Sequence, residues 1–173
     1  MIAHKFGGSS VADASRIGRV VDILLSRDEP QVVAISAMRG VTDALIALAR
    51  QAAARDDGWK AARQARETRH VSTANELLGA SAQPLLETFA TEFASLHELL
   101  QAQTRVGAVS NDLLDLVSGL GEVWSSMMVD AAVRARGKPS RWLDAREVLV
   151  VEKTDLGAMV RWEESTERLR SHF

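Results

Sequence analysis

Lys5-Phe6-Gly7-Gly8-Ser9-Ser10 places a cation, two glycines and two hydroxyls in one short stretch at the start of the chain. Glycines let backbone N–H groups approach an anion closely, a following helix N-terminus adds partial positive charge, and lysine adds a full one. Polyphosphate is the ligand such a corner suits. The spacing is neither G-x-x-x-x-G-K-[ST] nor G-x-G-x-x-G, so neither familiar nucleotide fingerprint applies. An ordinary turn with serine caps and a solvated lysine is the competing reading.

Two further groups invite the same question. Ser36-Ala37-Met38-Arg39-Gly40-Val41-Thr42-Asp43 repeats the arrangement of hydroxyls and backbone donors after a second apolar run. Thr42 could hold a ligand or cap a helix. Glu122 follows Ser118-Gly119-Leu120-Gly121 in an otherwise apolar stretch, where glycines cost about 1 kcal/mol each against alanine and so suggest close approach by a ligand or another backbone. If buried, its carboxylate needs a cation or donors, and an amino acid's ammonium would serve; a solvent-facing glutamate is the alternative. His4, His70, His97 and His172 show no ligand spacing, so no metal is assigned. The tryptophans occur singly and read as core or interface anchors, and the Arg and Glu residues between 56 and 104 read as a wet helix face.

These residues need elements to position them. Ile2 to Phe6 reads as a strand, and Ser9 or Ser10 as the cap of a helix burying Val11, Ile17, Val20, Val21, Leu24 and Leu25. The helix ends at Asp28 to Pro30. Gln31 to Ala37 reads as a strand buried on both faces of a parallel sheet, completing a βαβ unit. Thr42 or Asp43 can cap the next helix. A helical excursion follows from Asp56 to about Thr104, broken near Pro84, with Leu85, Leu86, Phe89, Phe93, Leu96 and Leu100 at helical spacing. Asn111 to Arg136 reads as one more helix with Leu113, Leu116, Leu120, Trp124, Met127 and Ala131 on its apolar stripe, stopped by Gly137 and Pro139. A third strand is expected around Ser140 to Leu143, then a charged stretch and a helix from near Arg161 almost to the end. About three strands make a small doubly wound sheet, so an α/β domain that is unfinished is the expectation.

The chain has 173 residues, 46% of them hydrophobic, enough for one core. A net charge of -2, from 21 basic and 23 acidic residues spread along the length, gives no footprint for nucleic acid. No cysteine is present, which removes disulfides and thiolate zinc sites and suits a cytoplasmic setting. No apolar run approaches a membrane span, and no signal peptide opens the chain.

The blocks "KFGGSSVADASRI", "VVAISAMRGVTDAL" and "SGLGEVWSS", in this order, resemble the aspartate kinases, bifunctional aspartokinases included. "SRWLDAREVL" is similar to that family's strand and following loop. Ser9 stands where the family usually has threonine, Asp43 where asparagine is common, and Leu120 where arginine or histidine precedes the Gly-Glu pair.

The resemblance implies an amino acid kinase fold, a three-layer sandwich with a mostly parallel sheet, of which residues 1–173 form the N-terminal, aspartate-binding part. It implies that Lys5, Gly7, Gly8 and Ser9 face the phosphates of ATP, with Lys5 catalytic. Ser36 and Thr42 would hold aspartate, Glu122 its amino group, and Arg146 would lie near the site. The implied reaction is phosphorylation of the aspartate side-chain carboxylate by ATP with Mg2+, without a tightly bound cofactor, as the first step of lysine, threonine and methionine biosynthesis, in a homo-oligomeric full-length enzyme. The family's G-R-G-G-S-D loop, catalytic aspartate and ACT domains are not among these residues, so catalytic incompleteness is expected. A glutamate or carbamate kinase relative, or a non-catalytic effector-binding or assembly module, are the rival expectations.

Overall fold

The computed structural model describes residues 1–155 and 157–172, which divide into two compact units, Met1–Ser140 and Arg141–Phe173. In the first unit, strand β1 (Ile2–Phe6) leads through the Gly7-Gly8 turn into helix α1 (Ala14–Leu25), and β2 (Gln31–Ile35) returns parallel to β1. The register pairs Lys5 with Ala34 and Phe6 with Ile35, so both strands end level with one another. Their two following loops are thereby placed side by side, at the strand end where open α/β sheets bind ligands.

Helices α2 (Val41–Ala53), α3 (Gly58–Leu78), α4 (Gln83–Val106), α5 (Asn111–Ser118) and α6 (Leu120–Ala135) complete this unit. The expected helical excursion is α3 and α4, parted by a short 3-10 turn over Gly79–Ser81. Pro84 sits in the first turn of α4, where its missing N–H leaves no bond unmade. The apolar stripes of α1 and α4 are buried much as their spacing predicts: Ile17, Val20, Val21 and Leu24 from one, Phe89, Phe93, Leu96 and Leu100 from the other.

Several expectations change. β2 is not buried on both faces. Ile2, His4, Phe6, Val33 and Ile35 do not share one environment with their neighbours: Ile2, His4, Phe6, Gln31, Val33 and Ile35 are half-buried, whereas Ala3, Lys5, Val32 and Ala34 on the other face are exposed, Val32 at 57%. A β-branched run records what a strand can bury, not what covers it in this chain. The 111–136 helix breaks at Gly119, which shifts its buried stripe to Val117, Gly121, Trp124, Ser125, Met128 and Ala132 and leaves Leu116 exposed. Residues 140–143 form no strand.

At the far end of α1, Lys138 Nζ donates to Leu24 O at 2.8 Å and also to Arg27 O, and Arg136 pairs with Asp22 at 3.0 Å. Carbonyls that a helix C-terminus leaves over are thus satisfied by a cation from beyond α6.

The second unit holds α7 (Ala145–Val148), an antiparallel hairpin of β3 (Val151–Thr154) and β4 (Gly157–Val160), and α8 (Trp162–His172). Ser165 Oγ accepts from Val150 N at 2.9 Å and ties α8 to the start of the hairpin. α8 runs where the sequence places it. The hairpin is not legible in the charged stretch, because Glu152 and Lys153 interrupt any apolar alternation while all of β3 is exposed.

Candidate active site

Backbone contacts lock the β1–α1 and β2–α2 loops together. Ser36 N donates to Phe6 O at 3.0 Å and Arg39 N to Gly8 O at 3.2 Å. A Cβ on Gly8 would lie 2.7 Å from Ala37 O, so only glycine allows this approach. Lys5 points from the exposed sheet face back over the turn, its Nζ 3.6 Å from where a Gly7 Cβ would be.

Neither loop spends its hydroxyls on helix capping. α1 begins at Ala14, and its cap is Asp13, whose Oδ1 accepts from Arg16 N at 2.9 Å; Ser9 is exposed and Ser10 N closes a turn onto Gly7 O at 2.8 Å. α2 is capped by Gly40 in the left-handed region at φ 77 with no side-chain cap bond, so Thr42 lies inside the first turn with Asp43. Capping by Ser9 or Ser10, and by Thr42 or Asp43, is therefore corrected. The helices start where the chain leaves the loop, and Asp13 and Gly40 suit those backbone angles better.

The first turn of α6 forms the third side. A Cβ on Gly121 would stand 2.7 Å from Ala37 Cβ and 3.0 Å from Val41 Cγ1, so this glycine lets α6 meet the β2–α2 loop. Gly119 has no such neighbour; only carbonyls of its own preceding turn lie within 4 Å. Buried Ser125 places its hydroxyl 2.5 Å from Gly121 O and 3.0 Å from Ser36 O, with one proton to offer the two. Glu122, half-buried beside Gly121, has a buried Oε2 without a hydrogen-bond partner.

The segments that carry Lys5, Gly7, Gly8 and Ser9, then Ser36 and Thr42, then Glu122 are thus packed into one corner. Arg146 belongs to the second unit, where its guanidinium grips Asp144 through Nε at 2.9 and 3.0 Å. That hydrogen bonding holds the Asp144 carboxyl below its ordinary value. Among the described residues no cluster of three or more His, Asp or Glu could hold a metal ion.

Sequence reasoning passed over two residues of this corner. Ser125 lies within the block "SGLGEVWSS" but is given no role there. Arg69, within the helix face read as wet, is exposed along part of its length yet reaches both loops, donating from Nη1 to Arg39 O at 3.1 Å and from Nη2 to Ala12 O at 3.0 Å. Burial, helped by Arg66 and opposed by Asp13, holds its guanidinium below the usual value. Helical periodicity cannot reveal an arginine that folds onto loops many residues away.

A parallel βα corner whose two loops carry glycines, hydroxyls and a lysine beside a half-buried glutamate defines an α/β protein with these groups gathered at the carboxyl ends of its strands, the edge at which open α/β sheets bind ligands. More narrowly, the chain belongs to the amino acid kinase family, whose profile matches residues 1–172. It is 36% identical over 153 residues to a bifunctional aspartokinase/homoserine dehydrogenase 2, chloroplastic, of Arabidopsis thaliana, covering 87% of this chain and 17% of that relative. The chain therefore spans about a sixth of that relative's length. E. coli aspartokinase III in complex with lysine and aspartate (T-state) superposes with a TM-score of 0.86 at 26% identity, over 99% of this chain and 37% of that one. The same enzyme with aspartate and ADP (R-state) gives 0.86 at 25% identity, over the same shares of the two chains. The fold is that of the amino acid kinases, with a small parallel sheet among many helices.

Proposed function

We propose that this chain provides the aspartate-gripping and phosphate-facing part of an aspartate kinase. One observation carries the reading. Glu122 Oε2 is buried without a partner on the helix turn that abuts the loop of Ser36 and Thr42. A buried carboxylate oxygen left unpaired is costly, and a substrate ammonium would satisfy it with a charge-assisted hydrogen bond. Ser36 and Thr42, free of capping duty, would hold the substrate's own carboxylate oxygens. The aspartate and ADP named with E. coli aspartokinase III support the same substrate pair.

In this reading the side-chain carboxylate of aspartate is the nucleophile. An aspartate carboxyl in water has a pKa of about 3.9 and is ionised at neutral pH, so no general base is needed. It attacks the γ-phosphorus of ATP, the P–O bond to the β-phosphate breaks, and ADP and an acyl phosphate result. The barrier is repulsion between two anions. Lys5 Nζ, the backbone N–H groups of Gly7 and Gly8, the Ser9 hydroxyl, and the magnesium that arrives with ATP offset that charge and align the reactants. The reading extends to amino-acid biosynthesis in the cytoplasm and to self-association of the full-length enzyme.

Calorimetry of the chain with L-aspartate and with a non-hydrolysable ATP analogue tests the proposal. Aspartate should bind, and Glu122→Gln should weaken it by roughly tenfold or more, because a desolvated ion pair is lost. No aspartate heat in the wild type, or equal affinity in the variant, sinks the reading. Glutamate and carbamate in the same cell separate the rival substrates, and indifference to every ligand would mark an assembly module.

A further inference from the structure

Arg69 lies in mid-α3, distant in sequence from both strands, yet its guanidinium holds one carbonyl of each loop. The acceptors occupy matching places: Ala12 O immediately precedes Asp13, the cap of α1, and Arg39 O immediately precedes Gly40, the cap of α2. The loops already touch nearer the strands, through Arg39 N and Gly8 O. Beyond that contact and the one between Ser36 N and Phe6 O, Arg69 adds an attachment where the chain turns into the helices, and holding the loops at both ends fixes their angle as well as their separation. A planar guanidinium suits this work, since its donors diverge at fixed geometry, whereas an ammonium is a point charge with rotatable donors.

The geometry points to Arg69 as a positioning residue that sets the spacing of the phosphate loop against the aspartate loop, and hence the approach of the attacking carboxylate to the γ-phosphate. This rests on the kinase reading above. Arg69 touches neither substrate in that scheme; it acts through the backbones of residues 7–13 and 36–42. Misplacement of bound reactants by a fraction of an ångström slows the chemical step while leaving each binding contact largely intact. The signature is therefore a loss in kcat that KM does not share.

The test uses the protein as its gene encodes it, with Arg69→Gln, Arg69→Lys and Arg69→Ala. We expect kcat to fall by about ten- to a hundredfold in all three with both KM values within a few-fold of wild type. Millimolar guanidinium should restore part of the Arg69→Ala turnover. Amide hydrogen exchange should quicken in both loops together, with β1 and β2 unchanged, in the Lys variant as well, which retains charge and stem and guards against a folding failure. Wild-type kcat, a loss confined to KM, or unaltered exchange in either loop would overturn the assignment. A wild type without aspartate-dependent ATP turnover would instead overturn the kinase reading, and the exchange comparison would still decide whether Arg69 pins the loops.

Discussion

A methyl group at Gly121 would stand 2.7 Å from the Cβ of Ala37. Helix α6 therefore meets the β2–α2 loop with no space for a side chain, and Glu122 owes its place beside that loop to the residue before it. Gly121→Ala should push the turn outward. Overpacking of this kind costs about 1–3 kcal/mol, more than the helix propensity alanine would add. Urea unfolding should show a lower midpoint, and aspartate affinity should drop with it. Gly119→Ala is the control: with only its own turn's carbonyls nearby, it should leave both unchanged or raise stability slightly.

Gly8 and Gly18 make a sharper contrast on either side of the first corner. Alanine at Gly8 would place Cβ 2.7 Å from Ala37 O, a backbone atom that cannot swing away, so the loops must part. Gly18 lies within α1 with open space where a Cβ would stand, nothing coming within 4 Å, and alanine there should stabilise by roughly 0.5–1 kcal/mol. Thermal melting of the two variants should move in opposite directions. A Gly8→Ala protein as stable as wild type would remove the close approach from the account of the site.

The corner's chemistry is legible in the sequence because it is local. Lysine, glycines and hydroxyls sit within a few residues of a strand end, and the periodicity of α1 and α4 places the strands and loops around them. What connects the three segments is not legible. Ser125 reaches Ser36 O, and Arg69 reaches Ala12 O and Arg39 O, across long sequence separations that no pattern encodes. Helix starts differ for a related reason: several residues near Ser9 and Thr42 can cap, and only the loop's path selects Asp13 and Gly40. The expected strand at 140–143 does not form: Ser140 and Arg141 leave only Trp142 and Leu143 as apolar residues, too short a signal to mark a strand.

Lys5 should separate turnover from binding. Its Nζ lies over Gly7, within the proposed phosphate loop, while the groups assigned to aspartate stand on other segments. Removing one fixed electrostatic stabiliser typically costs about a hundred- to a thousandfold in turnover. Lys5→Met in the protein as encoded should show that loss with aspartate KM changed only a few-fold. Near-normal turnover would rule out the assigned role.

Lys138 closes the opposite end of α1. Its ammonium meets Leu24 O at 2.8 Å, and Gln31 Nε2 meets the same carbonyl at 2.9 Å. Lys138→Met keeps most of the stem and removes the charge, so the loss should be about 1–2 kcal/mol, the range of a charge-assisted cap. Ligand affinity should not change, because the site lies at the other end of the helix. A variant with unaltered urea midpoint would show that Gln31 alone satisfies the carbonyl.

His70 should make stability depend on pH. It is fully buried against Phe89, Phe93 and Trp124, with Nδ1 2.7 Å from Arg66 O and Nε2 without a partner. A carbonyl can only accept, so Nδ1 carries the proton and charging the ring would require a second proton at Nε2 among apolar rings. Burial lowers its pKa from 6.5 to about 4; the bond to Arg66 O opposes this, and Arg69 and Arg66 assist it. Between those values the unfolded chain binds a proton that the folded one refuses. Stability is therefore complete above the unfolded pKa and drains away as pH falls from 6.5 towards 4, by about 3 kcal/mol in all. Urea unfolding at closely spaced pH values should show this slope in the wild type, and His70→Leu should lose that part of it, since leucine fills the space and binds no proton in either state. Equal slopes in the two proteins would mean that water reaches Nε2 and that this ring is not sealed in the core.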